Sequence, residues 1–268
     1  SKGGYLLFLS KGSNERFSLF TSFSPDGTEW ETPKTFVSSN VSDRVFLPVH
    51  AVSPSSKASD VVVFQAITSM GSRKSYQLFS TSSSDGGKTF GFPNQITQDG
   101  NYQNERPDLK PFNAKNDFIL TWERTKNRSN NVAVAFLLLD SNGLPQTSPS
   151  EIFNSPGRAI NPKIIVINKN PIITWTHEND GNSNVYVYDA ETDEAEKIRS
   201  KHESMLFSRP YNIAGSLELL WQEGGQTKNI MHIRPDNSVQ KARLAGTVEE
   251  GKDKKKRLKV RVTLPSDS

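Results

Sequence analysis

The sequence predicts an all-β protein built from repeated four-stranded units. A Pro-led extended segment is followed by an apolar run that ends in a bulky aromatic residue, with 11 to 16 residues from the proline to the aromatic, and this order occurs four times. After each run come a polar loop and a partly alternating segment, which is typical of a β-strand packed between sheets. Units of about 50 residues with this order predict a β-propeller of about five blades, with six possible, each blade a four-stranded antiparallel sheet.

The strands of each unit are predicted from this frame. The first strands begin near Pro48, Pro111, Pro162 and Pro210. The second strands close on Phe64, Trp122, Trp175 and Trp221, and the third strands start near Ser75, Asn131, Asn184 and Asn229. Only residues 189–205 have a helix-like composition, and their position in the frame favours a charged hairpin.

The first unit fits the frame only from its second strand, because strand-like segments begin at Tyr5 and Arg16 with no first strand before them. A closed ring often completes such a blade with the far end of the chain, which removes exposed edges. We therefore expect a propeller over residues 1–248, followed by a basic tail over residues 249–268. The tail either supplies the closing strand or leads into a further module.

Composition narrows the functional classes. The 268-residue chain has no cysteine, so disulfides, thiolate metal sites and a cysteine nucleophile are excluded. No apolar run is long enough to span a bilayer, and we expect no direct membrane insertion. The formal net charge is +4, and residues 249–261 carry all of this excess, with seven Lys or Arg against three acids. A neutral body with a basic tail predicts no nucleic-acid partner.

Two predicted turns between third and fourth strands carry a sharper motif. Residues 83–90 read SSDGGKTF, and residues 24–30 read SPDGTEW, one residue shorter. Both resemble the Asp-box, or BNR repeat, of the sialidase-like propellers. The resemblance implies a structural turn built from Ser83, Asp85, Gly87, Thr89 and Phe90 in one copy, and from Ser24, Asp26, Gly27 and Trp30 in the other. In such turns an Asp carboxylate caps backbone N–H groups, glycine supplies positive φ, and the aromatic ring anchors the hairpin.

Arginine precedes the predicted first strand in four units, at Arg44, Arg106, Arg158 and Arg209. If the ring closes, these guanidiniums meet near its axis. Sialidases resemble this arrangement in using an arginine triad on a sugar carboxylate, because a planar fork matches a carboxylate. The alternative is that each arginine ties blades together through carbonyls or through acids such as Asp43, Glu105 and Asp108.

Catalysis has weaker support in the sequence. A sialidase also requires a tyrosine nucleophile with a glutamate partner and an acid/base aspartate. The candidates here are Tyr211, Glu123 and Asp43. Each has a structural alternative: Tyr211 packs in the inner strand, Glu123 pairs with Arg124, and Asp43 caps a turn. The four histidines show no metal-ligand spacing, so we predict neither metal nor cofactor.

The sequence therefore favours a non-enzymatic, extracytoplasmic binding propeller of the Asp-box class. We expect the ligand at the central face to be either a carbohydrate, namely an acidic glycan, or a protein. The oligomeric state is left open. An exo-sialidase or related glycoside hydrolase is the first alternative. A protein assembly scaffold is the second.

Overall fold

The computed structural model of the chain describes residues 5–13, 16–37, 44–53, 59–70, 73–113, 117–153, 155–198, 205–213, 215–223, 229–233, 239–241, 243–250 and 256–263. These residues form strands and turns, with no helix among them. The strands are β1 (Tyr5–Ser13), β2 (Arg16–Ser24), β3 (Lys34–Val37), β4 (Val45–Val52), β5 (Asp60–Met70), β6 (Arg73–Ser83), β7 (Asn94–Gln95), β8 (Tyr102–Pro111), β9 (Phe118–Lys126), β10 (Val132–Leu139), β11 (Ser150–Phe153), β12 (Arg158–Ile167), β13 (Asn170–Asn179), β14 (Asn182–Asp189), β15 (Glu194–Lys197), β16 (Met205–Ile213), β17 (Ser216–Glu223), β18 (Asn229–Ile233), β19 (Val239–Lys241), β20 (Arg243–Glu250) and β21 (Lys256–Thr263).

Consecutive strands pair antiparallel into successive sheets, as the sequence predicts. Sheet 1 is β1–β3, sheet 2 is β4–β7, sheet 3 is β8–β11, sheet 4 is β12–β15 and sheet 5 is β16–β19. One parallel bridge, Val132 to Arg158, joins sheets 3 and 4. The charged segment after β14 turns back to pair as β15, which confirms the predicted hairpin there.

The chain end forms a separate two-stranded sheet. Strand β21 pairs with β20, and within the described residues sheet 1 consists of three strands. The expected boundary at residue 249 therefore falls inside β20. Whether the tail closes a ring or leads into a further module stays a prediction.

Each sheet packs its apolar side chains against the next sheet in the chain. One buried cluster joins sheet 2 to sheet 3 through residues such as Val63, Leu78 and Leu120, and similar clusters lie between the other neighbouring pairs. The predicted aromatic anchors of the second strands are all at most 1% exposed: Phe64, Trp122, Trp175 and Trp221. Burial of such rings is the main favourable term that holds one sheet on another.

Buried indole N–H groups need an acceptor, and only one of the three buried tryptophans has one in the described part of the chain. Trp122 Nε1 donates to Asn104 Oδ1 at 2.8 Å. At the positions equivalent to Asn104, sheets 4 and 5 carry Ala159 and Met205, which have no acceptor, so Trp175 Nε1 and Trp221 Nε1 find no partner among the described groups.

The turn at Ser83 is held by its own side chains. Asp85 accepts hydrogen bonds from the backbone N–H groups of Lys88 and Thr89 and from the Thr89 hydroxyl at 2.6–3.0 Å. Ser83 Oγ accepts from the Gly87 N–H at 2.9 Å. These bonds, led by the one from the Thr89 side chain, hold the pKa of Asp85 well below its usual range.

The two turns differ in how their aromatic residue packs. Phe90 lies against Phe8 and Phe36 of sheet 1, with ring centroids 6.1 and 5.2 Å apart, so this turn also anchors sheet 2 to sheet 1. Trp30, in contrast, is 41% exposed. In this shorter turn, hydrogen bonds led by the one from the Thr28 N–H lower the pKa of Asp26 to about 2.

We expect Asp85→Ala to lower the free energy of unfolding by about 1 kcal/mol at neutral pH, the usual effect of removing a capping carboxylate. Because the folded-state pKa is depressed, this contribution is present above the unfolded pKa of about 4 and is lost as the pH falls through the folded value. Urea unfolding of both proteins at pH 7 and pH 3 measures the change. The exposed neighbour Lys88→Ala is the matched control, and equal loss in both variants would contradict the role of the carboxylate.

Candidate functional site

Four first strands carry the same β-bulge. In β4, β8, β12 and β16, a step of three residues on the first strand pairs with a step of two residues on the second strand. The bulged residue has φ between 50° and 56° in every case: Leu47, Arg106, Asn161 and Phe207. Left-handed backbone at four equivalent non-glycine positions is costly, and it persists only where neighbouring structure fixes it.

The bulge corrects the predicted register of two prolines. Pro48, Pro107 and Pro162 follow the bulged residue directly, so the equivalent proline of sheet 3 is Pro107 rather than Pro111, which ends β8. In sheet 5 the equivalent residue is Ser208, and Pro210 lies two positions later. The predicted spacing of 11 to 16 residues from proline to aromatic misplaced these two, because β8 contains two prolines that both satisfy it and sheet 5 has no proline directly after its bulge.

A polar side chain from the preceding sheet binds the backbone N–H of the bulge. Gln65 Oε1 accepts from Arg106 N at 3.2 Å, and Glu123 Oε1 accepts from Asn161 N at 2.8 Å. Gln65 and Glu123 are equivalent residues, each directly after the aromatic anchor of its second strand. The equivalent residue of sheet 4 is Thr176, whose buried Oγ1 has no partner among the described groups because its side chain is shorter.

Glu123 has a second role, as the partner of an arginine. Arg106 Nη1 lies 3.1 and 2.9 Å from the two Glu123 oxygens, and the Glu123 side chain is only 5% exposed. Glu105 stands opposite Glu123 across the β8–β9 pair. Burial and then the charge of Glu123 raise the pKa of Glu105, against the opposing effects of Arg106 and Gln65. One arginine thus neutralises part of a carboxylate pair at the sheet 3 bulge.

A second charged group lies two residues beyond the bulges. Asp108 Oδ2 accepts from Ile164 N at 2.8 Å and so ties sheet 3 to sheet 4. Lys163 Nζ lies 4.0 Å from Asp108, and Lys110 Nζ lies 3.8 Å from it. Burial lowers the pKa of Lys163, Asp108 opposes this, and the positive charges of Arg209 and Lys110 add to the lowering. Two lysines therefore share one carboxylate, Asp108.

The predicted arginines occupy three different positions relative to the bulge. Arg106 is the bulged residue itself, and Arg209 lies two residues after the bulge of β16. Arg44 and Arg158 are equivalent, three residues before their bulges, and Arg158 Nη1 lies 3.2 Å from Glu178. Arg209 is exposed, and no carboxylate of the described chain lies within salt-bridge distance of it. Ligand binding by these four arginines stays a prediction.

Two of the three catalytic candidates, Glu123 and Tyr211, lie within the described residues. Glu123 pairs with Arg106 and accepts a hydrogen bond from the Asn161 N–H. Tyr211 lies on β16 with 45% of its surface exposed. Asp43 lies outside the described residues. The suggested pair of Glu123 with Arg124 is not formed, since Arg124 contacts Asp99 and Glu151 and covers the Tyr102 ring.

Sequence reasoning missed Gln65 and Lys163, and it named Asp108 only as a partner for an arginine. A signal for Gln65 was available, because a polar residue follows the aromatic anchor in all four second strands, at Gln65, Glu123, Thr176 and Gln222. Asp108 and Lys163 had no such signal, since their meeting depends on the bulge register. Across the described residues there is no cluster of His, Asp and Glu that could hold a metal ion. The same residues contain no helix that is long and apolar enough to cross a membrane.

Solved structures show what this arrangement of sheets is. No family model matches the chain, and no curated protein matches it in sequence. The fold is a β-propeller. The chain is similar to TolB from Acinetobacter baumannii (16% identity, TM-score 0.53), to a Hadza microbial sialidase (13%, 0.56) and to α-L-arabinanase from Penicillium chrysogenum complexed with arabinobiose (12%, 0.62), all of them β-propellers.

The alignments cover most of this chain but a smaller share of the others. They include 89%, 82% and 88% of its residues, against 52% of TolB, 50% of the sialidase and 76% of the arabinanase. The chain therefore spans about half the length of the first two. At these identities the likeness establishes the β-propeller fold and leaves the ligand to the residues of this chain.

We expect Glu123→Leu to destabilise the propeller by about 3 kcal/mol, because the substitution leaves the partly buried Asn161 N–H without an acceptor and Arg106 without its partner. Glu123→Gln keeps the amide acceptor and loses only the charge, so it should cost less than half as much. Urea denaturation of the two variants measures the difference. Equal losses would show that the hydrogen bond to Asn161 contributes nothing.

Proposed function

We propose that this chain is a non-catalytic binding propeller that recognises an acidic glycan on its bulge face, which is the face where the first strands begin. The observation that carries the proposal is the position of Arg209. Its guanidinium is exposed, and its positive charge contributes to the lowered pKa of Lys163, whereas Asp108, which lies 4.0 Å from Lys163, also accepts the Ile164 N–H. An exposed guanidinium next to a partly buried ammonium is suited to a ligand carboxylate.

The geometry at Glu123 favours binding over hydrolysis. A sialidase-like reaction needs a glutamate that can accept a proton from the tyrosine nucleophile. Glu123 is instead committed to Arg106 and to the next blade, at distances of 2.9 and 2.8 Å. The neighbours include a sialidase and an arabinanase, which supports a glycan as the ligand class.

The finer features of the fold belong to the same proposal. We propose a ring of about five blades built from sheets 1 to 5, with Asp-box turns at Ser24 and Ser83 on the face opposite the bulges. The hydrogen bonds of Asp26 and Asp85 support that assignment. We propose an extracytoplasmic setting, in which exposed glycans are available.

Arg209→Ala should weaken binding of 3′-sialyllactose by about tenfold, because it removes one charge-assisted contact. Isothermal titration calorimetry with 3′-sialyllactose and with neutral lactose measures the effect. Lys88→Ala, which removes one exposed charge on the opposite face, is the matched control and should bind as the unaltered protein does. Equal affinity for sialyllactose and lactose, or no loss in Arg209→Ala, would contradict the proposal.

The same protein should release no product from a fluorogenic sialoside above the buffer rate. Release that is lost in Glu123→Gln would favour the hydrolase instead. Binding of acidic peptides without glycan binding would favour a protein partner.

A further inference from the structure

Two cavities open on the turn face, which is the face that carries the turns between first and second strands and is opposite to the bulges. Their volumes are about 480 and 440 Å³, and they share Phe112 and Lys169 as lining residues. Volumes of this size suit a small ligand. Lys169 follows Asn161 by eight residues along β12 and its turn, so this site lies about 25 Å from the bulge face.

The walls of both cavities are mainly apolar. The first is bounded by Ile165 and Val166, and the second by Phe136 and Leu138. Phe112, Phe136, Leu138 and Val166 are only partly buried, and they pack on the core cluster between sheets 3 and 4. A bound apolar group would therefore extend that core and remove these half-covered side chains from water.

One lysine stands where the two cavities meet. Lys169 is exposed, and no described carboxylate lies within ion-pair distance of its ammonium group. The other charged residues on the walls are Lys110, which is 3.8 Å from Asp108, and Glu191, which lines the second cavity. The shared wall thus presents one positive charge that the described chain does not neutralise.

The backbone at this lysine is strained. Asn168 and Lys169 are the two central residues of the β12–β13 hairpin, with φ values of 50° and 69°. A two-residue turn with positive φ at both positions strongly favours Asn followed by Gly, so asparagine fits the first position and lysine does not fit the second. A lysine in the place that favours glycine keeps an ammonium at the cavity mouth at a cost in stability.

We propose that the two cavities form one site for a small amphiphilic carboxylate. Its apolar chain lies across Phe112 between the two walls, and its carboxylate pairs with Lys169. The exposed aromatic and aliphatic side chains supply the attraction for the chain, and the unpaired ammonium selects an anion over a neutral or cationic head group.

Decanoate below its micellar concentration is the probe, with decanol and decyltrimethylammonium as the neutral and cationic comparisons. Calorimetric titration should give saturable binding of decanoate, about tenfold weaker binding of decanol, and no binding of the cation. Absence of decanoate binding, or equal binding of decanol, would overturn the proposal.

Lys169→Gly separates the ligand site from the fold. It removes the ammonium and relieves the turn, so the melting temperature should stay the same or rise while decanoate affinity falls about tenfold. Asn168→Gly is the matched control, since it alters the same turn and leaves the ammonium in place, and it should retain binding. Lys169→Arg should also retain it. Unchanged decanoate affinity in Lys169→Gly would refute the role of this lysine.

Discussion

The hydrogen bond from the bulge N–H to the preceding blade, formed at Arg106 and at Asn161, is the constraint on which the bulge face depends. A bulge leaves one backbone N–H without a partner in the β-ladder. In three blades the next residue is a proline, which has no backbone N–H to donate. The freed N–H must find an acceptor, and in two blades it finds the polar residue beside the aromatic anchor of the blade before. The same contact fixes the position of one blade on the next.

The charges on the bulge face depend on which side chain each blade supplies as the acceptor for the bulge N–H of the next blade. Gln65 is neutral; it accepts the Arg106 N–H and also hydrogen-bonds to Glu105. Glu123 carries a charge into a buried position, and Arg106 from the same blade neutralises it at 2.9 Å. Thr176 is too short to reach, so the bulge at Phe207 lacks this bond within the described chain. The electrostatics of the face are therefore a consequence of how the blades are joined.

The sequence predicted those features that local chemistry determines. Strand order, the four aromatic anchors and the hydrogen-bonded Ser83 turn all depend on residues a few positions apart. The register of the bulges does not, because it depends on which residues of two neighbouring strands pair; Pro111 was therefore mistaken for Pro107. The meeting of Asp108 with Lys163, and of Glu123 with Arg106 rather than Arg124, likewise depends on that register.

Amide hydrogen exchange followed by nuclear magnetic resonance tests this account most directly. The backbone amides of Arg106 and Asn161 should exchange at least about tenfold more slowly than that of Phe207, although the Arg106 side chain is 52% exposed, because only the first two amides donate to a side chain of the preceding blade. Equal exchange rates at all three bulges would show that the blades are positioned by apolar packing alone, and would contradict the account.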